Sequence, residues 1–71
     1  MVNIWDFYMG DKVEILDHSS RKYVGIIINQ MGSGEVEEGA DYIAILTEDG
    51  QYGFYASDIQ QIVPANAYEM A

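Results

Sequence analysis

Residues 41–63, DYIAILTEDGQYGFYASDIQQIV, decide the fold. Ile43, Ile45 and Thr47 share one face of an extended chain, and Tyr42, Ala44 and Leu46 share the other. That alternation predicts a strand over Tyr42–Glu48. Asp49-Gly50 between apolar alternating runs is a hairpin signal, and a type I′ turn there needs positive φ at both positions. A second strand follows over Gln51–Tyr55. Ala56-Ser57-Asp58 reads as a one-turn corner, because Ser and Asp side chains satisfy nearby backbone amides. Ile59–Val63 is the closing strand, ended by Pro64, which lacks a ladder donor.

Upstream, the chain supplies the strands that this unit needs as partners. Gly10-Asp11 is a turn, and Lys12–Asp17 alternates with Val13 and Ile15 on one side. Asp17-His18-Ser19-Ser20 is a run of turn formers. Lys22–Gln30 is the longest strand, with Val24, Ile26 and Ile28 on one face and Tyr23, Gly25 and Ile27 on the other. Three consecutive β-branched isoleucines predict a largely buried environment, with Ile26, Ile28 and Ile45 in the interior. Gly25 within that strand marks a bend, a bulge or a close backbone approach.

The rest is lead-in, loop and tail. Residues 1–9 read as an extended apolar segment covering one open end, with Trp5 and Phe7 on the same side as core plugs or as a partner-binding patch. Residues 30–40, QMGSGEVEEGA, hold three glycines and three glutamates and form the long loop. With Asp41, four of the twelve acids fall between positions 35 and 41. This stretch is either a solvated tip or an acidic docking finger. Its spacing lacks the alternating oxygen ligands of a calcium loop. Residues 65–71 are expected to fray.

Bulk properties narrow the function classes. A 71-residue chain buries only about 60% of its unfolded surface, so it forms one small core. With no cysteine, neither a disulfide nor a thiolate-bound zinc holds it together. Twelve Asp and Glu against three Lys and Arg give a net charge of −9. Nucleic acid is bound largely by neutralising its phosphates, so it is not expected as a ligand, and anionic membranes are disfavoured likewise. Basic proteins would be steered in, although the same acidity also serves solubility. The N-terminus lacks the features of a secretory signal, no run reaches membrane-span length, and a cytoplasmic location is expected.

The specific motifs are Gly10-Asp11-Lys12-Val13-Glu14-Ile15, Tyr23-Val24-Gly25-Ile26, Gly53-Phe54, and Ser57-Asp58-Ile59 leading into Ile62. Across roughly residues 10–63 these resemble the Src-homology-3-like (SH3-like) small β-barrels, especially the KOW, Tudor-like and photosystem I peripheral-subunit barrels. The resemblance implies an all-β domain: a five-stranded antiparallel SH3-like barrel over 10–63, with an N-terminal extension over 1–9, a one-turn helix before the last strand and a tail over 64–71. The A-L-Y-D-Y motif of the peptide-binding family is absent and Trp5 precedes the barrel, so polyproline recognition is not implied. Such barrels host many activities, and the resemblance speaks to fold alone.

No catalytic set is legible. There is no Ser-His-Asp grouping, cysteine nucleophile or phosphate-cradling loop, and His18 stands alone without metal-ligand spacing. Glu37-Glu38 and Glu48-Asp49 sit at loop tips, where a carboxyl is not desolvated. A non-enzyme without cofactor or metal is expected. What remains is a surplus of tyrosine. Tyr8, Tyr23, Tyr42, Tyr52 and Tyr55 exceed what so small an interior can hold, and they either cap its ends or form an interface. The leading expectation is an interaction module that docks on a basic partner protein. Tyr23, Tyr42, Tyr52 and Tyr55 would make the contact, bordered by Glu35, Glu37, Glu38, Glu48 and Asp49. The alternatives are a nucleic-acid mimic, such as a phage-encoded inhibitor of a basic host enzyme, and a structural subunit whose first nine residues cover a neighbour.

Overall fold

The alternation of β-branched and polar residues produces five antiparallel strands, each ending within one residue of its expected bounds. They are β1 (Lys12–Asp17), β2 (Lys22–Met31), β3 (Tyr42–Thr47), β4 (Gly50–Tyr55) and β5 (Ile59–Pro64), in the sheet order β4-β3-β2-β1-β5. These assignments come from a computed structural model that describes residues 2–32 and 41–65. A 3-10 turn over Ile4–Asp6 precedes the sheet, and another over Ala56–Asp58 joins β4 to β5. Among the described residues, no helix is long and apolar enough to cross a membrane.

The core is a single cluster. Ile4, Val13, Ile15, Ile27, Ile43 and Ile45 are fully buried, with Phe54, Ala56 and Ile59 beside them and no polar residue among them. Each such aliphatic side chain contributes about 1.5–3 kcal/mol by leaving water. Val2, Phe7, Tyr23 and Ile62 pack around the cluster half-buried.

Four expectations are corrected. The first concerns β2. Ile27 is buried against its register partner Ile45, but Ile26 and Ile28 face outward, as does Val24. Successive strand residues point to opposite faces, and only the face shared with Val13, Ile15 and Ile45 meets the core. Ile28 is the extra residue of a bulge between Ile27 and Asn29. The bulge reverses the inward set, so that Gln30 turns toward the N-terminal segment. Its amide Nε2 donates to the carbonyls of Ile4 and Phe7, both at 2.9 Å.

The second correction is the lead-in, which is a 3-10 turn and not an extended strand. The Asn3 side chain caps it by accepting from Trp5 N–H at 3.0 Å and donating to Asp6 at 3.3 Å. In a 3-10 turn residues i and i+3 eclipse, so Ile4 and Phe7 share the inner side in place of Trp5 and Phe7. Ile4 is the plug, and Trp5 is half exposed. This segment covers its own sheet. The third concerns the hairpin, whose two-residue loop is Glu48-Asp49, because Thr47 pairs with Gly50. Only Gly50 has positive φ (124°). Thr47 Oγ1 accepts from Asp49 N–H at 3.0 Å and donates to the Gly50 carbonyl at 2.9 Å, which seats the turn one residue early. The fourth is the tail, of which Ala65 is buried and donates its N–H to the Lys12 carbonyl at 2.9 Å. Residues 66–71 lie outside the described residues, as do Glu35, Glu37 and Glu38.

Gly25 marks a close approach of two backbones. A Cβ placed there would lie 2.5 Å from the carbonyl oxygen of Leu46 on β3, which no rotamer can relieve. Gly25→Ala should lower the unfolding free energy by about 1–3 kcal/mol in urea titrations, as overpacking does. Ile4→Ala should cost about 2–4 kcal/mol in the same measurement. An N-terminal segment that merely lay on the surface would make that loss negligible.

Candidate functional site

The expected tyrosines fall into two groups, separated by the alternation of β4. Tyr52 has the inward register of Ile45, its cross-strand partner, whereas Tyr55 stands opposite Tyr42 on the outer face.

The first group lies where β2 and β3 part. Their pairing runs from Ile26↔Leu46 onward, and a notch lies between residues 22–24 and the β3–β4 hairpin, beyond the close approach at Gly25. Tyr23 and Tyr52 meet across it with ring centroids 5.0 Å apart, and Tyr23 also sits edge-on to Phe54 at 5.0 Å. Such aromatic pairs add about 0.5–1.5 kcal/mol beyond area burial and hold both rings in place. The notch is a cavity of about 640 Å³. Its apolar wall is Val24, Ile26 and Leu46, which are 38%, 45% and 48% exposed. Glu48 and Asp49 line it from the hairpin, and Lys12 and Lys22 from the opposite side. Lys22 also pairs with Glu14 at 3.6 Å. Two of the three Lys and Arg of the chain therefore line the same notch as two of the five expected carboxylates.

The second group lies on the outer surface, at the opposite end of β3 from the notch. Tyr42 and Tyr55 stand edge to face at 5.5 Å. The Tyr42 ring lies over Gly53, where any side chain would collide with its hydroxyl. With Met31 and Gly32 these rings line a cleft of about 390 Å³. Trp5 stands at its rim, with Cζ2 3.7 Å from the position of a Cβ on Gly32. Its indole Nε1–H donates to Asp41 Oδ2 at 2.9 Å. Met31 is not among the expected site residues; Trp5 is expected with Phe7 as a core plug or a partner-binding patch, and Asp41 with the acidic loop, but not beside each other. The Trp5–Asp41 bond spans 36 residues, and no local pattern announces it.

Between the two groups run Ile28 on β2 and Ala44 on β3, both outward. The outer face of β2–β3 thus runs from Ile26 and Leu46 to Met31 and Tyr42 with one polar side chain, the exposed Asn29 opposite Ala44. An antiparallel sheet with a solvated face ordinarily turns polar residues outward.

The turn before β2 fixes Tyr23. Asp17 Oδ1 accepts from Ser19 N–H at 2.8 Å and Arg21 N–H at 2.9 Å, and Ser20 takes positive φ (69°). Asp17 Oδ2 accepts from the Tyr23 hydroxyl at 3.5 Å and pairs with Arg21 Nε at 3.5 Å. These bonds, led by that from the Arg21 amide, hold the Asp17 carboxyl below the usual carboxylate value. His18 Nε2 lies 3.1 Å from the Ser57 carbonyl and links this turn to the one before β5.

No protein-family model matches the sequence, and no curated protein does. Among solved structures, one chain of an assembly described as "Structural basis of the Dcp1:Dcp2 mRNA decapping complex activation by Edc3 and Scd6" is similar, with a TM-score of 0.60 and 23% identity. The match covers 93% of the present chain and 65% of that one. At this identity the likeness is one of fold.

A carboxyl with a lowered folded-state pKa stabilises the fold fully above its unfolded value, about 3.9, and loses that stabilisation as pH falls through the folded value. The urea-midpoint gap between the wild-type protein and Asp17→Asn should be widest near neutral pH and shrink below about pH 4. A constant gap across that range would show that the charge of Asp17 contributes nothing.

Proposed function

We propose that this chain is a non-enzymatic interaction module of the cytoplasm, an SH3-like small barrel that docks on a partner protein through the outer face of β2–β3. The observation that carries the reading is the exposure of Val24, Ile26 and Leu46 beside Tyr52, in a chain whose core already holds its quota of isoleucine. A strand that is apolar on both faces, with only one face covered, leaves surface for another molecule. Tyr52, Tyr42 and Tyr55 add rigid, amphipathic contact area at low entropic cost. The fold supports the same reading, since the element order fits such barrels and the similar chain belongs to a multiprotein complex by its description.

The charge of −9 favours a basic partner and opposes a second copy of the chain. Within the notch, however, Lys12 and Lys22 offset Glu48 and Asp49, so recognition there rests on apolar shape more than on net charge. An apolar and phenolic face also fits a protein partner better than the imitation of a phosphate track. Ile4 and Phe7 of the N-terminal segment pack on the chain's own core, which leaves Trp5 as the part of that segment open to a partner beside the cleft.

Ile26→Glu and Leu46→Glu each place a charge in the docking face. Both side chains are nearly half exposed, so either change should alter folding stability by no more than about 1 kcal/mol. Tagged wild-type protein and both variants would be used to capture partners from source-cell extract, with mass spectrometry as the readout. The expected result is a set of proteins retained by the wild type and lost by both variants. An identical set from all three would refute the docking face. Light scattering at twice 8.0 kDa, reversed by Ile26→Glu, would make a second copy the occupant instead.

A further inference from the structure

The apolar notch and the aromatic cleft are ends of one strip, and their spacing and chemistry differ in a way that describes an occupant. On β3 the two are marked by Leu46 and Tyr42, four residues apart and both on the outer face. At about 3.4 Å per residue the separation is about 14 Å, which an extended peptide also covers in four residues. Bonds between Trp5 and Asp41, and the close packing of Tyr42 on Gly53 and Tyr55, set the cleft before any ligand arrives.

The cleft is suited to a cation. Tyr55 is 52% exposed and Trp5 45%, so their ring surfaces remain open to a ligand. Aromatic faces attract a guanidinium or ammonium group, and the long alkyl stem of such a side chain packs on apolar walls such as Met31. The Asp41 carboxylate stands at the rim, held by the indole. A tyrosine needed only to shield Gly53 would be Tyr42 alone; Tyr55, Trp5 and Met31 would then have no task at this spot. The other end of the strip carries Lys12 and Lys22.

We propose that the strip seats an extended segment of a partner protein with two anchors about four residues apart, an apolar side chain in the notch and a lysine or arginine in the cleft. This inference rests on the interaction reading above and adds the partner's sequence character. A second copy of this chain is a poor occupant, because it brings nine further negative charges and only three Lys and Arg.

The test is a titration of isotope-labelled protein followed by amide and indole N–H shifts, with acetyl-Leu-Ser-Gly-Ser-Arg-amide and its reversed sequence as probes. At least one order should shift Leu46 and Ile26 together with Gly32, Tyr55 and the Trp5 indole, and the shifts should saturate. Replacing the arginine by norleucine should weaken binding about tenfold, since cation–π attraction at an open site gives roughly two- to five-fold per ring. Shortening the spacing to two residues should do the same. Tyr55→Ala should abolish the preference for arginine over norleucine, with Trp5→Ala as the second variant if the first unfolds. Equal binding of the norleucine peptide, insensitivity to spacing, absence of cleft shifts, or diffuse shifts that never saturate would each overturn the proposal. If the peptides fail while partner capture still depends on Ile26 and Leu46, the docking face stands and only its two-anchor occupant is lost.

Discussion

The position of Ile27 is the constraint on which the rest of the molecule depends. Its carbonyl accepts from Gly10 N–H at 2.8 Å, and its own N–H donates to the Asp11 carbonyl at 2.9 Å. On the other side it pairs with Ile45 of β3. The middle of β2 is therefore locked between the entry to β1 and the centre of β3, with the Ile27 side chain inward. A one-residue slip would exchange the whole buried set for the exposed one. Given this lock, Tyr23 must lie inside the notch, Gly25 must face the Leu46 carbonyl, and Val24, Ile26 and Ile28 must look outward. The surface available to a partner follows from the same bonds that hold the core.

This also explains what was legible in the sequence and what was not. The strands of residues 41–63 carried period-two alternation with turn residues at each end, and β1 carried Val13 and Ile15. Local pattern was enough for all of them. In V-G-I-I-I the alternation has apolar residues in both registers, so it cannot say which set is buried. Only the non-local pairing to Ile45 and the Gly10-Asp11 entry decides. The N-terminal turn was misread for a different reason. Asn3, one residue before Ile4, is a cap signal, but a three-residue turn has too little period to register. For the hairpin, Asp-Gly marked the place correctly, and the Thr47 hydroxyl moved the turn by one residue.

The candidate site was half visible. Counting tyrosines against interior volume showed that some must be exposed, but their division between notch and cleft depends on the β3–β4 register. Met31 entered only through tertiary placement, as did the pairing of Trp5 with Asp41. The acidity also reads differently in three dimensions. Asp6 accepts from Asn3, Asp11 from the Tyr8 amide, Asp17 from two amides of its turn, and Asp41 from the Trp5 indole. Four of the twelve acids thus fasten turns or orient a ring, and a bulk charge of −9 overstates what was placed for solubility alone.

An apolar outer strip on a free protein is an aggregation hazard, and the arrangement of charge addresses it. Edge pairing and face-to-face contact between copies both bring like charges together, and at moderate salt that repulsion reaches about 8–10 Å, enough to oppose approach but not to act over long range. A partner of opposite charge feels the reverse. Under the proposed function, the same field that opposes self-contact would draw such a partner in, and the outer strip would then supply short-range contact that charge alone cannot. Steering and grip would then fall to different residues, the carboxylates and the outward isoleucines. Removing charge would weaken the repulsion between copies, whereas removing Ile26 or Leu46 would leave the core intact and weaken only the proposed contact.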